Sequence, residues 1–195
     1  MNELISVIVT TYNREDALDA VLRSLAHQSD QEFEVVVADD GSTAATGAVT
    51  DAWNGKVGRR LDHVWHEDRG FRAAEIRNRA ILAARGAYCI FLDGDCIARP
   101  DFVATHRRLA EPGCFVTGNR ILLSRDLTAE VLLGKLTPET WTFARWMAER
   151  PFSIFFTKHG FLGDRKPAET ACGLKHFAVY AVHRAARMLV SRTFN

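Results

Sequence analysis

The chain reads as an α/β protein, a three-layer α/β/α sandwich around a mostly parallel central sheet. Three observations predict this. Short apolar runs alternate with helix-period segments over residues 4–117. The runs carry few charges, as strands covered on both faces do. Polar clusters stand just past the ends of three runs: Thr10-Thr11-Tyr12-Asn13, Asp39-Asp40-Gly41-Ser42 and Asp93-Gly94-Asp95. Such an alternation makes right-handed crossovers in a Rossmann-like arrangement, with ligands bound beyond the carboxyl ends of the strands.

The elements follow in order. Leu4-Ile5-Ser6-Val7-Ile8-Val9 is the first expected strand. Leu18, Val21, Leu22 and Leu25 then share one face at the 3.6-residue period, and Asn13 with Asp16 is placed as a capping pair. Phe33–Ala38 is the second strand and ends on two aspartates. Ser42 or Thr43 can cap a short helix through Thr50, and Leu61–Trp65 is a third strand. A helix is expected from Gly70 to Arg85, with Ala74, Ile76, Ala80, Ile81 and Ala84 apolar and Gly86 at its C′ position. Tyr88–Leu92 is the fourth strand. Pro100 opens the next helix, with Phe102, Val103, His106 and Leu109 inward, and Phe115-Val116-Thr117 begins another strand.

Beyond Ser124 the alternation loosens into a helical and aromatic segment. Residues 141–161 hold Trp141, Phe143, Trp146, Phe152, Phe155, Phe156 and Phe161, and residues 174–190 form a basic amphipathic candidate helix. Two uses are open for it, packing on the parent domain or lying at a membrane interface.

Composition narrows the classes. The 195 residues suffice for one domain, 47% are apolar and the net charge is +1, so nothing global suggests nucleic acid. Charge is uneven: residues 1–100 carry 11 Lys/Arg against 16 Asp/Glu, and residues 101–195 carry 14 against 8. A basic second half could face an anionic partner or be a solvated face. Cys89, Cys96, Cys114 and Cys172 make no C-x-x-C pair, which argues against a zinc ribbon or thioredoxin-like site. The start, Met1-Asn2-Glu3-Leu4, lacks a basic leader region and no apolar stretch spans a bilayer, so the expected location is the cytoplasm.

The clusters carry the chemistry. Hard divalent cations take oxygen ligands and bridge one or two carboxylates to substrate phosphates. Asp93 and Asp95, separated by a glycine on a turn leaving a buried strand, can both aim at that bridge. An aspartate pair alone is common in turns; its position past a strand is what points to a metal. A carboxylate of Asp39-Asp40 can accept from an imide N–H such as uracil's, whereas a capped helix start explains Ser42 but not two adjacent aspartates. Thr10–Asn13 can contact a base or ribose, or simply begin a helix. The segment from Gly70 to Arg79 opens a helix with cations suited to phosphate oxygens, although a solvated face accounts for Arg79.

Val7-Ile8-Val9-Thr10-Thr11-Tyr12-Asn13-Arg14, Val35–Thr43, the Gly70…Arg77-Asn78 helix and Phe91-Leu92-Asp93-Gly94-Asp95 together resemble family 2 glycosyltransferases of the GT-A fold, over roughly residues 4–125. The resemblance implies a nucleotide-diphosphate-sugar donor (a UDP-sugar first), Mn²⁺ or Mg²⁺, and inverting transfer to a saccharide or lipid-linked saccharide. Carried over by position, Thr11, Tyr12 and Asp40, with Asp39 as neighbour, would hold base and ribose. Arg77 would lie near the base or diphosphate, Asp93 near ribose and metal, and Asp95 on the metal. The wording of the motifs looks most like bacterial enzymes that extend surface polysaccharide or lipopolysaccharide, which implies cytoplasmic work with peripheral contact at the membrane's inner face. It divides the chain into a nucleotide-sugar-binding core, 1–125, and an acceptor-side segment of the same domain, 126–195.

One departure stands out. Inverting transfer needs a general base, and the family's downstream Glu-Asp motif is missing from this sequence. Gly173–Tyr180 loosely resembles the segment that precedes it, so the chain reads as shortened or altered at its carboxyl end. Asp164 and Glu169 are the substitute candidates. Rival readings are a donor-binding protein without transferase activity, a nucleotidyltransferase and an aspartyl phosphatase. Thr10–Arg14 lacks the glycine-rich loop of the second, and Asp95 lies too far from the first strand for the third.

Overall fold

The structure, a computed structural model, describes residues 3–112, 114–118 and 120–150, together with the backbone of Asp164–Pro167 and Tyr180–His183. Strands β1 (Ile5–Thr11), β2 (Phe33–Asp39), β3 (Leu61–Trp65), β4 (Tyr88–Asp93) and β5 (Cys114–Thr117) alternate with helices α1 (Glu15–Ala26), α2 (Ala44–Trp53), α3 (Ala73–Ala83) and α4 (Phe102–Leu109). Helices α5 (Arg125–Leu132) and α6 (Phe143–Glu149) follow, and then strands β6 (Asp164–Pro167) and β7 (Tyr180–His183). The strands make one sheet in the order β3-β2-β1-β4-β7-β5-β6.

β3, β2, β1 and β4 are mutually parallel, with Thr11 level with Asp39 and Thr10 level with Asp93. Three polar clusters therefore reach one rim. β7 is antiparallel to β4 and β5 is antiparallel to β7. Two reversals restore the direction, so β5 runs with β4 and its carboxyl end opens on the same rim.

Alternation along the strands builds the two covered faces. Ile5, Val7 and Val9 pack with Val35, Val37, Ile90 and Leu92 against Leu18, Val21, Leu22 and Leu25 of α1 and Val103 of α4. Ile8, Val36 and Ala38 turn the other way, onto Ile76, Ala80 and Ile81 of α3. Burying each such aliphatic side chain is worth roughly 1.5–3 kcal/mol before the entropy of ordering it. The shared core fixes the rim.

Several local expectations are corrected. Asn13 does not cap α1: it takes a positive φ of 47°, Arg14 holds the N-cap position, and the Asn13 amide oxygen instead accepts from the Thr43 N–H at 3.0 Å. The Asn13 N–H donates to Ser42 Oγ at 2.9 Å, so this exchange ties the β1 and β2 loops together. α3 begins at Ala73, and Ala74 faces solvent. Gly86 is not a left-handed cap; a Cβ there would sit 2.6 Å from Ser6 Oγ, and its N–H donates to that oxygen at 2.9 Å. The helix expected over 174–190 is interrupted, because Tyr180–His183 is a strand that fills the edge of β4. An unpaired edge of that length invites pairing, which outweighs a helical pattern.

Of the aromatic segment, Trp141 and Trp146 pack with ring centroids 4.9 Å apart and Arg145 lies 4.5 Å over Trp141. Phe152, Phe155, Phe156 and Phe161 lie outside the described residues. Among the described residues, no helix is long and apolar enough to cross a membrane.

Candidate functional site

At the rim, Thr10, Thr11 and Tyr12 from the end of β1 face Asp93, Gly94 and Asp95 from the end of β4 across a cavity of about 240 Å³. Gly94 makes the two strand ends touch. Its N–H donates to the Thr10 carbonyl at 2.7 Å, and an added Cβ would lie 2.6 Å from that oxygen. Thr11 is buried in the same wall, and its hydroxyl oxygen has no hydrogen-bond partner. A buried hydroxyl without a partner is costly unless a ligand supplies one.

Asp93, Asp95 and Cys96 each present a ligand atom, all within 4.8 Å of one another. Burial, and then the charges of Asp95 and Asp93, push the Cys96 thiol up to about 12. With that thiol protonated, the carboxylates of Asp93 and Asp95 are the groups that could hold a cation, and they would suit Mn²⁺ or Mg²⁺ better than a thiolate-seeking ion. The following loop is fixed by α1 and the turn after it: Gln28, just past the helix, donates to the Arg99 carbonyl at 2.6 Å and accepts from the Val103 N–H at 3.0 Å, while Ser24 Oγ of α1 accepts from the Ala98 N–H at 2.9 Å.

Arg77 lies behind this pair. It donates to Thr10 Oγ1 at 2.9 Å and to Asp93 Oδ1 at 3.1 Å. The family resemblance implies a place near the base or diphosphate, and in this structure the side chain also braces the strand ends. Asp95 remains exposed, and Arg14 and Arg120 complete the wall.

Asp39 and Asp40 are buried beside the cavity rather than in its wall. Asp39 accepts from the Ser42 N–H at 2.8 Å and pairs with His63 Nε2 at 2.9 Å. Burial acts to raise its carboxyl, but the His63 and Ser42 hydrogen bonds outweigh it and hold the group below the usual carboxylate range. Asp40 Oδ1 pairs with His66 Nε2 at 2.7 Å, its Oδ2 accepts from the Arg72 N–H at 3.0 Å, and its own N–H donates to the Thr11 carbonyl at 3.0 Å. Asp40 thus joins β1, β2 and the strap from His66 to Arg72.

That strap closes on Gly41, whose φ is +98° and where a Cβ would meet Asp68 Cα at 2.6 Å. Tyr12 Oη donates to Asp68 Oδ2 at 2.9 Å, and Asp68 Oδ1 accepts from the Gly70 N–H at 2.9 Å. The exposed Tyr12 ring is thereby held at the cavity mouth.

Asp164 begins β6, level with Thr117 of β5, so its backbone stands on the same rim. It is three strands from β4, roughly 14 Å at the usual spacing. Glu169 lies outside the described residues. Sequence reasoning missed Arg120, His66, Asp68 and Cys96. Arg120 had a signal, since it follows the Phe115-Val116-Thr117 run just as the other clusters follow theirs.

The sequence profile described as Glycosyl transferase family 2 matches residues 6–171. Validoxylamine A glucosyltransferase of Streptomyces hygroscopicus subsp. limoneus is 40% identical over 102 residues, covering 51% of this chain and 22% of that protein. The chain thus spans about a fifth of that relative's length. The mannosyltransferase PcManGT from Pyrobaculum calidifontis, in complex with GDP-Man and Mn²⁺, is 26% identical with a TM-score of 0.50, covering 66% of this chain and 38% of that one. Glucosyl-3-phosphoglycerate synthase from Mycobacterium tuberculosis, solved with Mn²⁺, UDP and glucosyl-3-phosphoglycerate, is 22% identical with a TM-score of 0.51, covering 94% and 57%. At that identity the second structure speaks to the fold alone.

Proposed function

Since the chain belongs to glycosyl transferase family 2, we propose that its rim cavity binds a nucleotide-diphosphate sugar with a divalent cation and passes the sugar, with inversion, to a hydroxyl of a saccharide or lipid-linked saccharide. The observation that carries this reading is the pair Asp93 and Asp95 facing the partnerless Thr11 hydroxyl at a strand-end rim. Two oxygen anions and a buried hydroxyl suit a polyhydroxy ligand attached to a metal-bound diphosphate. The GDP-Man and Mn²⁺ in the Pyrobaculum calidifontis mannosyltransferase support the same ligand class. UDP- and GDP-linked sugars are the two donors to test.

In this reading Tyr12 and Thr11 line the base and ribose end, with Asp40 and Asp39 setting the position of the β1 and β2 loops. Asp95, with Asp93, holds Mn²⁺ or Mg²⁺, which when bound supplies Lewis acidity toward the departing diphosphate. Arg77 keeps Asp93 oriented. An acidic side chain must take the proton of the attacking hydroxyl as it approaches the anomeric carbon from the face opposite the diphosphate. Asp164 is the first candidate, because its backbone shares the rim, and Glu169 is the second. The acceptor we propose is a bacterial surface polysaccharide or its lipid-linked precursor, reached in the cytoplasm at the membrane's inner face.

A thermal-shift comparison of UDP- and GDP-sugars with and without Mn²⁺ tests the donor reading. A ligand at a hundred times its Kd adds about 2.7 kcal/mol, or on the order of 5 °C for a chain of this size. Stabilisation that requires Mn²⁺ is the expected result. No shift with any nucleotide sugar at millimolar concentration would remove it.

A further inference from the structure

We propose that Arg120 is a phosphate-binding residue of this cavity, facing the diphosphate of the donor; the proposal rests on the donor reading above. The motifs that carry the family resemblance point to Arg77 instead; in the sequence Arg120 is marked only by its place just past the Phe115-Val116-Thr117 run. Three observations single it out.

The first is topology. β5 runs in the same direction as β4, so the chain leaving Thr117 emerges on the rim that carries Asp93 and Asp95. Arg120 is the third residue past that strand end and lines the same cavity as the two aspartates.

The second is the engagement of the neighbouring cations. Arg77 donates to Thr10 and Asp93, and Arg14 is paired with Asp16 at 3.0 Å. Among the described residues, no carboxylate lies within ion-pair distance of Arg120. Once a divalent ion neutralises the carboxylates, Arg120 is left as surplus positive charge in the wall. A wall of that sign accommodates an anion larger than the metal alone can balance.

The third is chemical fit. A planar guanidinium matches two oxygens of a phosphate in one plane, which an ammonium does not. The donor diphosphate gains negative charge as the sugar–oxygen bond breaks and the electron pair stays on the phosphate oxygen. A cation already positioned there is worth more to the departing group than to the intact donor.

The test is a calorimetric series with Mn²⁺ present, comparing wild type, Arg120→Gln and Arg120→Lys for UDP, GDP and uridine. Manganese affinity by electron paramagnetic resonance serves as the check that each variant is folded. We expect Arg120→Gln to weaken the better-bound diphosphate about tenfold and to leave Mn²⁺ and uridine binding unchanged, with Arg120→Lys in between. Diphosphate affinity within twofold of wild type in Arg120→Gln overturns this proposal alone and leaves Arg120 to the acceptor side. Failure of wild type to bind either diphosphate overturns the donor reading, and this proposal with it.

Discussion

Arg77 and Asp93 form an ion pair across the end of the sheet, 3.1 Å from Nη2 to Oδ1, with the same guanidinium donating to Thr10 at 2.9 Å. The two aspartates of the β4 turn therefore differ in kind. Asp93 is neutralised and fixed by protein, whereas Asp95 stands exposed with its charge available to a ligand.

That difference sets an order for their substitutions. Asp93→Asn removes the carboxylate charge facing the half-buried Arg77 and should lower stability by on the order of 1 kcal/mol, since solvent screens part of the pair. Asp95→Asn removes no protein partner of that kind and should stay within about 0.5 kcal/mol of wild type. Denaturant midpoints of the two variants at low and high salt check this, with the Asp93→Asn loss shrinking in salt.

Gly94→Ala should be worse than either. Its Cβ would meet the Thr10 carbonyl at 2.6 Å, backbone that cannot swing aside. The β1 and β4 ends must part, at a cost of about 1–3 kcal/mol. Manganese affinity should fall together with stability, because the same shift moves both aspartates. A variant with wild-type Tm and unchanged manganese binding would show that the two strand ends do not need this contact.

Tyr12 and Asp68 should behave as one unit in nucleotide binding. The hydroxyl-to-carboxylate bond of 2.9 Å holds the ring at the mouth of the cavity. Tyr12→Phe and Asp68→Ala should each weaken UDP or GDP binding by a few-fold. The double variant should be no weaker than the worse single one, the non-additivity expected of two coupled groups. Asp68→Asn, which keeps an acceptor, should restore most of the loss. Additive losses would mean the bond does nothing for the ligand.

Acid should destabilise the protein through His106. Its ring is buried between Tyr88 and Phe102, 3.2 Å from the Tyr88 hydroxyl, and burial lowers its pKa from 6.5 to about 4. Above pH 6.5 the ring is neutral folded or unfolded. Between there and about pH 4 the unfolded chain takes up a proton that the folded chain refuses, so stability falls as pH falls. Below about pH 4 both states are protonated and this contribution levels off. The loss is on the order of 3 kcal/mol. His106→Leu should give a flatter profile over this window, measured by urea unfolding; an unchanged slope would place the acid sensitivity elsewhere.

The strands and the rim were legible because buried parallel strands announce themselves as apolar runs. Ile5–Thr11, Phe33–Asp39 and Tyr88–Asp93 all lie within two residues of their expected bounds. Thr11, Tyr12, Asp93 and Asp95 converge for the same reason: strand ends in a parallel sheet share a rim. What sequence could not give was pairing between distant side chains. His66 with Asp40, Asp68 with Tyr12 and Arg77 with Asp93 join residues 16 to 56 positions apart, and no local period encodes them. The family resemblance puts Arg77 near the base or diphosphate, but its bonds to Thr10 and Asp93 are not readable from the sequence. Tyr180–His183 was missed because edge pairing is decided by β4 and β5, not by the segment's own amphipathic pattern.

The most direct test is a manganese titration followed by electron paramagnetic resonance, with UDP and GDP present in turn, on wild type and Asp95→Asn. Wild type should bind one manganese per chain more tightly with the nucleotide than without it, and Asp95→Asn should lose this nucleotide-dependent site while keeping its fold by circular dichroism. Equal manganese and nucleotide binding in the two proteins would contradict the assignment of this rim as a metal-assisted donor site.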